Sequence, residues 1–116
     1  AVAAIYAARA GLELLATIGV ATVRERHMLL SQRLVDGAIA QGWTVRCPRV
    51  ATERTAIVTL EHPEPQGVVD ALRAQGVICD SRPGLVRLSP HYFNTVLEMD
   101  RALELLAPLR AVAATA

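Results

Sequence analysis

The sequence predicts an α+β fold in which a small, mostly antiparallel sheet of about four strands is covered by helices. Two long helical runs come first, at residues 2–17 and about 20–41, and Gly19 separates them. Residues 54–61 alternate between apolar and polar side chains, as a half-buried strand does. Residues 81–100 read as turn, strand, turn and helix start. The predicted order of elements is ααββαββα, a layered architecture with two helices ahead of the sheet.

The two N-terminal helices differ in their apolar pattern. Residues 1–8 are apolar on all sides, so the first helix needs covering on more than one face. The second helix has a single apolar stripe and ends at Gly42, after which residues 43–47 have the composition of a short strand. The stripe consists of Val20, Val23, His27, Leu30, Leu34 and Ile39.

The rest of the chain is predicted as short segments. Helices are expected at residues 66–75 and 95–110, and strands at residues 77–80 and 85–89. Thr95 opens the last helix, because Thr95 and Glu98 have the spacing of a capping box. The alanine-rich end after Arg110 is expected to fray. The side chains expected to face the core are Trp43, Ala56, Val58, Leu60, Val68, Val69, Leu72, Val96, Met99, Leu103 and Leu106.

Composition and charge exclude several classes of function. The net charge of +1 gives no field that attracts nucleic acid or anionic lipid, so neither is expected as a partner. The uncharged run at residues 14–23 is too short for a bilayer span, which needs about 20 residues. Cys47 and Cys79 lack the spacing of metal ligands, so no metal site is predicted. Reduced thiols in a cytoplasmic protein are the expectation.

Arg87 is the strongest candidate for a binding residue. It is a lone charge between Val86 and Leu88 in a short apolar strand, where it needs water, a carboxylate or a bound anion. An arginine presents a planar fork that pairs with a carboxylate through two hydrogen bonds. The alternative is a structural ion pair, for which Glu61, Asp80 and Glu98 are all possible partners.

The stretch from residue 81 to residue 100 also carries a family resemblance. A strand with Arg-Leu-Ser-Pro, then aromatic residues, then Asn-Thr and acidic residues on a helix resembles the C-terminal end of class V aminotransferase-type enzymes. These pyridoxal phosphate (PLP) enzymes of fold type I include kynureninases and cysteine desulfurases. The match is clearest over residues 76–106 and weaker over residues 10–40. It implies that residues 1–19 end the large domain or form an interdomain helix, and that residues 20–116 are the small C-terminal domain.

The resemblance implies a function for the parent protein and a role for Arg87. The parent would be a PLP-dependent transferase or hydrolase that acts on an amino acid, and Arg87 would hold the α-carboxylate of this small substrate. Arg82, Ser89 and His91 are weaker substrate-binding candidates. The resemblance also implies that the rest of the parent binds PLP and that the parent forms a homodimer. No residue of this chain is expected to be catalytic or to bind the cofactor.

All twelve basic side chains are arginine, and the chain contains no lysine. Because the internal Schiff base of a PLP enzyme needs a lysine amine, the isolated chain is expected to be inactive.

Two alternatives compete with this interpretation. Cys79 suggests a desulfurase, in which a cysteine acts as nucleophile, but only residues 80–86 separate it from Arg87. Desulfurases carry a longer cysteine-bearing loop, so the segment around Cys79 resembles a kynureninase more closely, and Cys79 is expected to be a small buried residue. The other alternative is a regulatory module that binds an amino acid without catalysis.

Overall fold

The computed structural model describes residues 1–110. Its helices are α1 (Val2–Ile18), α2 (Val20–Ala40), α3 (Pro65–Ala74) and α4 (Val96–Leu106). Its strands are β1 (Val58–Glu61), β2 (Asp80–Arg82) and β3 (Leu85–Leu88), and two short 3₁₀ helices lie at Ala51–Glu53 and Ala107–Leu109. The prediction of fraying after Arg110 concerns residues outside this range. The α+β fold class is confirmed, with three strands rather than about four.

The sheet is antiparallel, with β3 between β1 and β2. Successive side chains of β3 point to opposite faces of the sheet: Val86 and Leu88 are buried on one face, whereas Leu85 and Arg87 are partly exposed on the other. The helices α2, α3 and α4 cover the apolar face. The core side chains are Leu30, Leu34, Val35, Ala38, Trp43, Val45, Val58, Leu60, Val68, Val69, Leu72, Val86, Leu88, Met99, Ala102, Leu103 and Leu106. The opposite face, which carries Arg87, is partly exposed within residues 1–110.

Close packing of α2 against α4 fixes the helices behind the sheet. Gly37 lies directly under the side chain of Leu103, so a Cβ atom at position 37 would overlap the leucine methyl groups. Thr95 caps α4 as predicted: its Oγ1 accepts from the Glu98 backbone N–H at 3.2 Å, and Glu98 Oε2 accepts from the Thr95 backbone N–H at 2.7 Å.

The N-terminal helix α1 extends away from this core. It meets α2 at Gly19, where the two helix axes are bent by 83° and the φ angle of Gly19 is 92°. No residue of α1 is buried, and Ile5, Tyr6 and Leu12 are exposed. Among residues 1–110 no single helix meets the length and hydropathy of a membrane span; α1 and α2 meet them only when taken together across their bend.

Three predicted strands differ from the structure. Residues 43–47 form only one bridge, Val45 to Leu60, because the chain turns away at Pro48, which has no N–H to donate. The predicted strand 54–61 begins only at Val58, because Arg54 is held in a loop by its buried side chain. The predicted strand 77–80 is shifted to 80–82, where it pairs with β3 across the turn at residues 83–84.

The predicted helices need smaller corrections. Val23, Leu30 and Leu34 of the α2 stripe are buried, but Val20 and Ile39 are exposed. Val20 lies at the bend, and Val35 and Ala38 take the positions nearest the core instead of Ile39. The last helix ends at residue 106 and continues as a 3₁₀ turn that contains Pro108.

Candidate functional site on the open face of the sheet

Arg87 lies in the central strand, between Thr59 of β1 and Asp80 of β2. About a third of its side chain is exposed, on the face of the sheet opposite the buried Val86 and Leu88. Its Nη2 atom donates to Asp80 Oδ2 at 2.7 Å. Of the three possible ion-pair partners, the structure selects Asp80.

The hairpin between β2 and β3 brings a second arginine to the same carboxylate. Arg82 Nη1 donates to Asp80 Oδ2 at 2.6 Å. The backbone N–H of Ser81 donates to Asp80 Oδ1 at 2.7 Å. This N–H, with smaller contributions from Arg82 and Arg87, holds the pKa of Asp80 below its ordinary value. The site therefore contains one ionised carboxylate and two guanidinium groups, with a local charge of +1.

Ser89 and His91 are placed beside this group and do not contact it. Ser89 is exposed after β3, on the rim of a cleft of about 510 Å³ between residues 75–78 and α4. The ring of His91 stacks on Phe93, with centroids 5.3 Å apart, and meets the edge of the His27 ring at 4.9 Å. His91 thus packs against α2, and no hydrogen bond joins its ring to Arg87 within the described residues.

The loop after β3 is also held to α2 by hydrogen bonds. Arg26 Nη2 donates to the backbone oxygen of Asn94 at 2.7 Å, and the backbone N–H of His91 donates to Asn94 Oδ1 at 2.8 Å. His27 lies next to this loop, and its Nε2 is buried without a hydrogen-bond partner among the described residues. Burial, and then the charges of His91 and Arg24, lower the pKa of His27. The loop that follows β3 is therefore fixed to α2 close to the strand that carries Arg87.

The sequence analysis named Asp80 as one of three possible partners of Arg87 but did not find its bond to Arg82, because the shared contact depends on the register of the hairpin. A two-residue turn at Pro83-Gly84 pairs residue 82 with residue 85, and hence residue 80 with residue 87. The buried Arg54 was also missed, because a charged residue is seldom expected to be 3% exposed. Cys79, predicted as buried, is partly buried and packs against the core. Burial raises the pKa of its thiol, which disfavours the thiolate form.

The sequence profile described as the kynureninase C-terminal domain matches residues 23–106. The chain belongs to this family. A curated relative, an uncharacterized aminotransferase of Bacillus subtilis (strain 168) called YcbU, is 29% identical over 103 residues. That match covers 89% of this chain and 28% of the relative. The chain therefore spans about a quarter of the length of this relative.

Solved structures show the same fold. A cysteine desulfurase from Thermococcus onnurineus NA1, in its apo form, matches with a TM-score of 0.81 and 21% identity over 86% of this chain and 29% of the desulfurase. A NifS-like protein matches with a TM-score of 0.65 and 18% identity, over 74% of this chain and 27% of its own. Together with the family match, these likenesses confirm the predicted C-terminal domain of the class V aminotransferase type.

The residues of this chain do not fit PLP itself. The internal Schiff base requires a lysine, and the sequence contains none. The described residues also contain no group of three or more His, Cys, Asp or Glu side chains that could hold a metal ion. A guanidinium on a partly exposed face of a sheet has the chemistry to pair with an anion.

Proposed function

We propose that the chain is the small domain of a PLP-dependent enzyme that acts on an amino acid, and that Arg87 binds the α-carboxylate of the substrate. The observation that carries this proposal is the position of Arg87 on the partly exposed face of the central strand, where within residues 1–110 its guanidinium is paired through Nη2 alone. A guanidinium in this state can still offer a two-hydrogen-bond fork to a planar anion. Membership in the kynureninase C-terminal family favours an enzyme over a regulatory module.

The contribution of Arg87 would be orientation. PLP, held by the rest of the parent, would supply the electron sink for bond cleavage at the substrate. Arg87 would fix the carboxylate and so determine how the bonds at the α-carbon point, which is catalysis by positioning. Because the chain provides no lysine, this proposal also expects the isolated domain to be inactive.

The remaining parts of the proposal concern the parent protein. Residues 1–19 would connect to or end the large domain, and the bend at Gly19 together with the uncovered apolar surface of α1 supports that division. The parent would work as a homodimer in the cytoplasm. Arg82 would contribute to the local positive charge, whereas the packing of His91 on Phe93 supports only an indirect role.

The test is the substitution of Arg87 in the full-length parent. Arg87→Gln should lower kcat/KM for the amino-acid substrate, because removing one partner of a desolvated ion pair costs roughly 2–5 kcal/mol. At about 1.4 kcal/mol per tenfold, this corresponds to about 30-fold or more. Arg87→Lys should perform nearly as badly, since an ammonium lacks the fork. The decarboxylated amine analogue should be much less affected.

A matched control separates binding from folding. Arg101 lies on the exposed side of α4, where its guanidinium is 3.6 Å from Glu104, and Arg101→Gln should leave kcat/KM unchanged. Normal kinetics in an Arg87→Gln enzyme that has lost thermal stability would show that Arg87 is a structural ion-pair residue, and the proposed function would be lost.

A further inference from the structure

The carboxylate of Asp80 is fixed by three donors. Its Oδ2 atom accepts from Arg87 Nη2 at 2.7 Å and from Arg82 Nη1 at 2.6 Å. Its Oδ1 atom accepts from the Ser81 backbone N–H at 2.7 Å. Because the backbone at this position belongs to the sheet, with Asp80 opposite Arg87 in the register, the carboxylate is anchored to rigid structure.

This contact leaves part of the Arg87 guanidinium available to a ligand. The group has two forks, one formed by Nε and Nη2 and the other by Nη1 and Nη2, and each uses a different hydrogen of Nη2. Asp80 takes a single Nη2 hydrogen, so one complete fork remains. Within residues 1–110, Asp80 is the only hydrogen-bond acceptor that contacts this guanidinium.

A purely stabilising ion pair accounts poorly for this arrangement. Half of the Asp80 and Arg82 side chains and about a third of Arg87 are exposed, and ion pairs in such positions contribute little to folding stability. The contact with Asp80 also restricts the conformations of the Arg87 side chain, and this restriction does not depend on how much the ion pair contributes to folding stability. An arginine side chain has several rotatable bonds, so the binding of a ligand to an arginine that samples many rotamers includes the entropic cost of ordering that side chain.

We propose that Asp80 is a positioning residue that holds the Arg87 guanidinium with its remaining fork directed at the substrate carboxylate. This inference rests on the proposed function, because it gives Asp80 a role only if Arg87 binds an anion. Arg82 takes part by holding Asp80 from the other side. The ligand group that this site would recognise is a single carboxylate, since the two guanidinium groups and Asp80 together carry a local charge of +1.

Two effects of Asp80 on the ligand oppose each other. Its negative charge repels the incoming carboxylate, so its removal would tighten binding if charge were the main effect. Its hydrogen bond orders Arg87, so its removal would weaken binding if positioning were the main effect. Asp80 is already compensated by two guanidinium groups, which lie 2.6 and 2.7 Å from its Oδ2, so its repulsion of the incoming carboxylate is largely cancelled, whereas the lost order is not replaced. Positioning is therefore expected to dominate.

The experiment is a double-mutant cycle in the full-length, PLP-loaded parent. The twenty common L-amino acids are screened by the change in absorbance of bound PLP, and the one with the strongest response becomes the probe. Its dissociation constant, and that of the same molecule without the carboxylate, is measured for wild type, Asp80→Asn, Arg87→Gln and the double variant. Asp100→Asn is the matched control, because Asp100 accepts from Arg33 at 2.7 Å on α4, away from the site.

We expect Asp80→Asn, which replaces the charged acceptor with a weaker, neutral amide oxygen, to weaken binding of the amino acid about three- to tenfold, the cost of ordering one long side chain. The amine without the carboxylate should bind as before. In the Arg87→Gln background, Asp80→Asn should change the dissociation constant less than twofold, because a positioning residue has no effect once the residue it positions is gone. Asp100→Asn should match wild type. Asp80→Glu, which keeps the charge and moves it, should weaken binding as well and serves if Asp80→Asn does not fold.

The outcomes distinguish this inference from the function on which it rests. If Arg87→Gln weakens binding but Asp80→Asn leaves it unchanged or tightens it, Asp80 is not a positioning residue and the proposed function stands. An equal effect of Asp80→Asn in both backgrounds also overturns the inference, because Asp80 would then act independently of Arg87. If Arg87→Gln has no effect, or no amino acid changes the absorbance, the proposed function fails and the inference fails with it.

Discussion

Arg54 provides the sharpest test of how the loop before β1 is held to α2. Its side chain is 3% exposed and donates four hydrogen bonds: to the backbone oxygens of Pro48 and Arg49 at 2.8 and 2.9 Å, to Gln32 Oε1 at 2.8 Å and to Ser31 Oγ at 3.3 Å. These bonds join the loop before β1 to α2. We predict that Arg54→Met, which keeps most of the apolar stem, destabilises the domain substantially.

The magnitude follows from what each acceptor loses. Hydrogen bonds from a charged group contribute about 1.5–3 kcal/mol each when one partner is removed. The oxygens of Pro48 and Arg49 belong to exposed residues and regain water, whereas Ser31 is 1% exposed and does not. Removing the charge also removes its own desolvation cost, which offsets part of the loss. The net loss in unfolding free energy should be about 2–4 kcal/mol.

The assay is urea unfolding followed by far-UV circular dichroism, with Arg49→Met as the matched control. Arg49 is exposed, and its side chain makes no hydrogen bond or salt bridge among the described residues, so its substitution should change the unfolding free energy by less than about 0.5 kcal/mol. A loss below about 0.5 kcal/mol for Arg54→Met, or equal losses for the two variants, would refute the claim that this buried network holds the loop.

Two further predictions concern the loop that follows β3: one is at Thr95, where the loop enters α4, and the other is at His27 of α2, whose ring contacts His91 of the loop. Thr95→Ala should lower the unfolding free energy by about 1 kcal/mol, since it removes the capping box of α4, while Thr95→Ser should retain most of it; equal stability of the two variants in urea would contradict this. His27 has a lowered pKa in the folded protein, so its contribution to stability is complete above its ordinary pKa of about 6.5 and is lost as the pH falls. His27→Gln should therefore lose less unfolding free energy between pH 7.5 and 5.5 than wild type, and parallel profiles would show that His27 does not titrate differently on folding.

The sequence predicted the helices well because their signals are local. The apolar spacing of α3, the capping box of α4 and the glycine between α1 and α2 each lie within a few residues of the element they define. The strands were predicted less well because they depend on pairing. Residues 43–47 have strand composition, yet only Val45 forms a bridge, and composition does not show how long two segments stay side by side.

In the candidate site, too, features with a local signal could be predicted from the sequence, and features that depend on strand pairing could not. Arg87 could be found from the sequence, because a lone charge in an apolar strand is unusual in itself. Its partner could not be chosen among Glu61, Asp80 and Glu98 without the register, which depends on the length of the turn at residues 83–84. Once that turn is known to hold two residues, the pairing of Asp80 with Arg87 follows. The contact between His27 and His91 joins residues far apart in the chain, and no local pattern reveals it.

The most direct measurement of the central claim is a crystal structure of the full-length parent with an amino-acid ligand bound. The proposal predicts a ligand carboxylate oxygen within about 3 Å of a guanidinium nitrogen of Arg87, with the contact between Arg87 and Asp80 retained. A ligand whose carboxylate is held by other residues, while Arg87 contacts Asp80 alone, would contradict it.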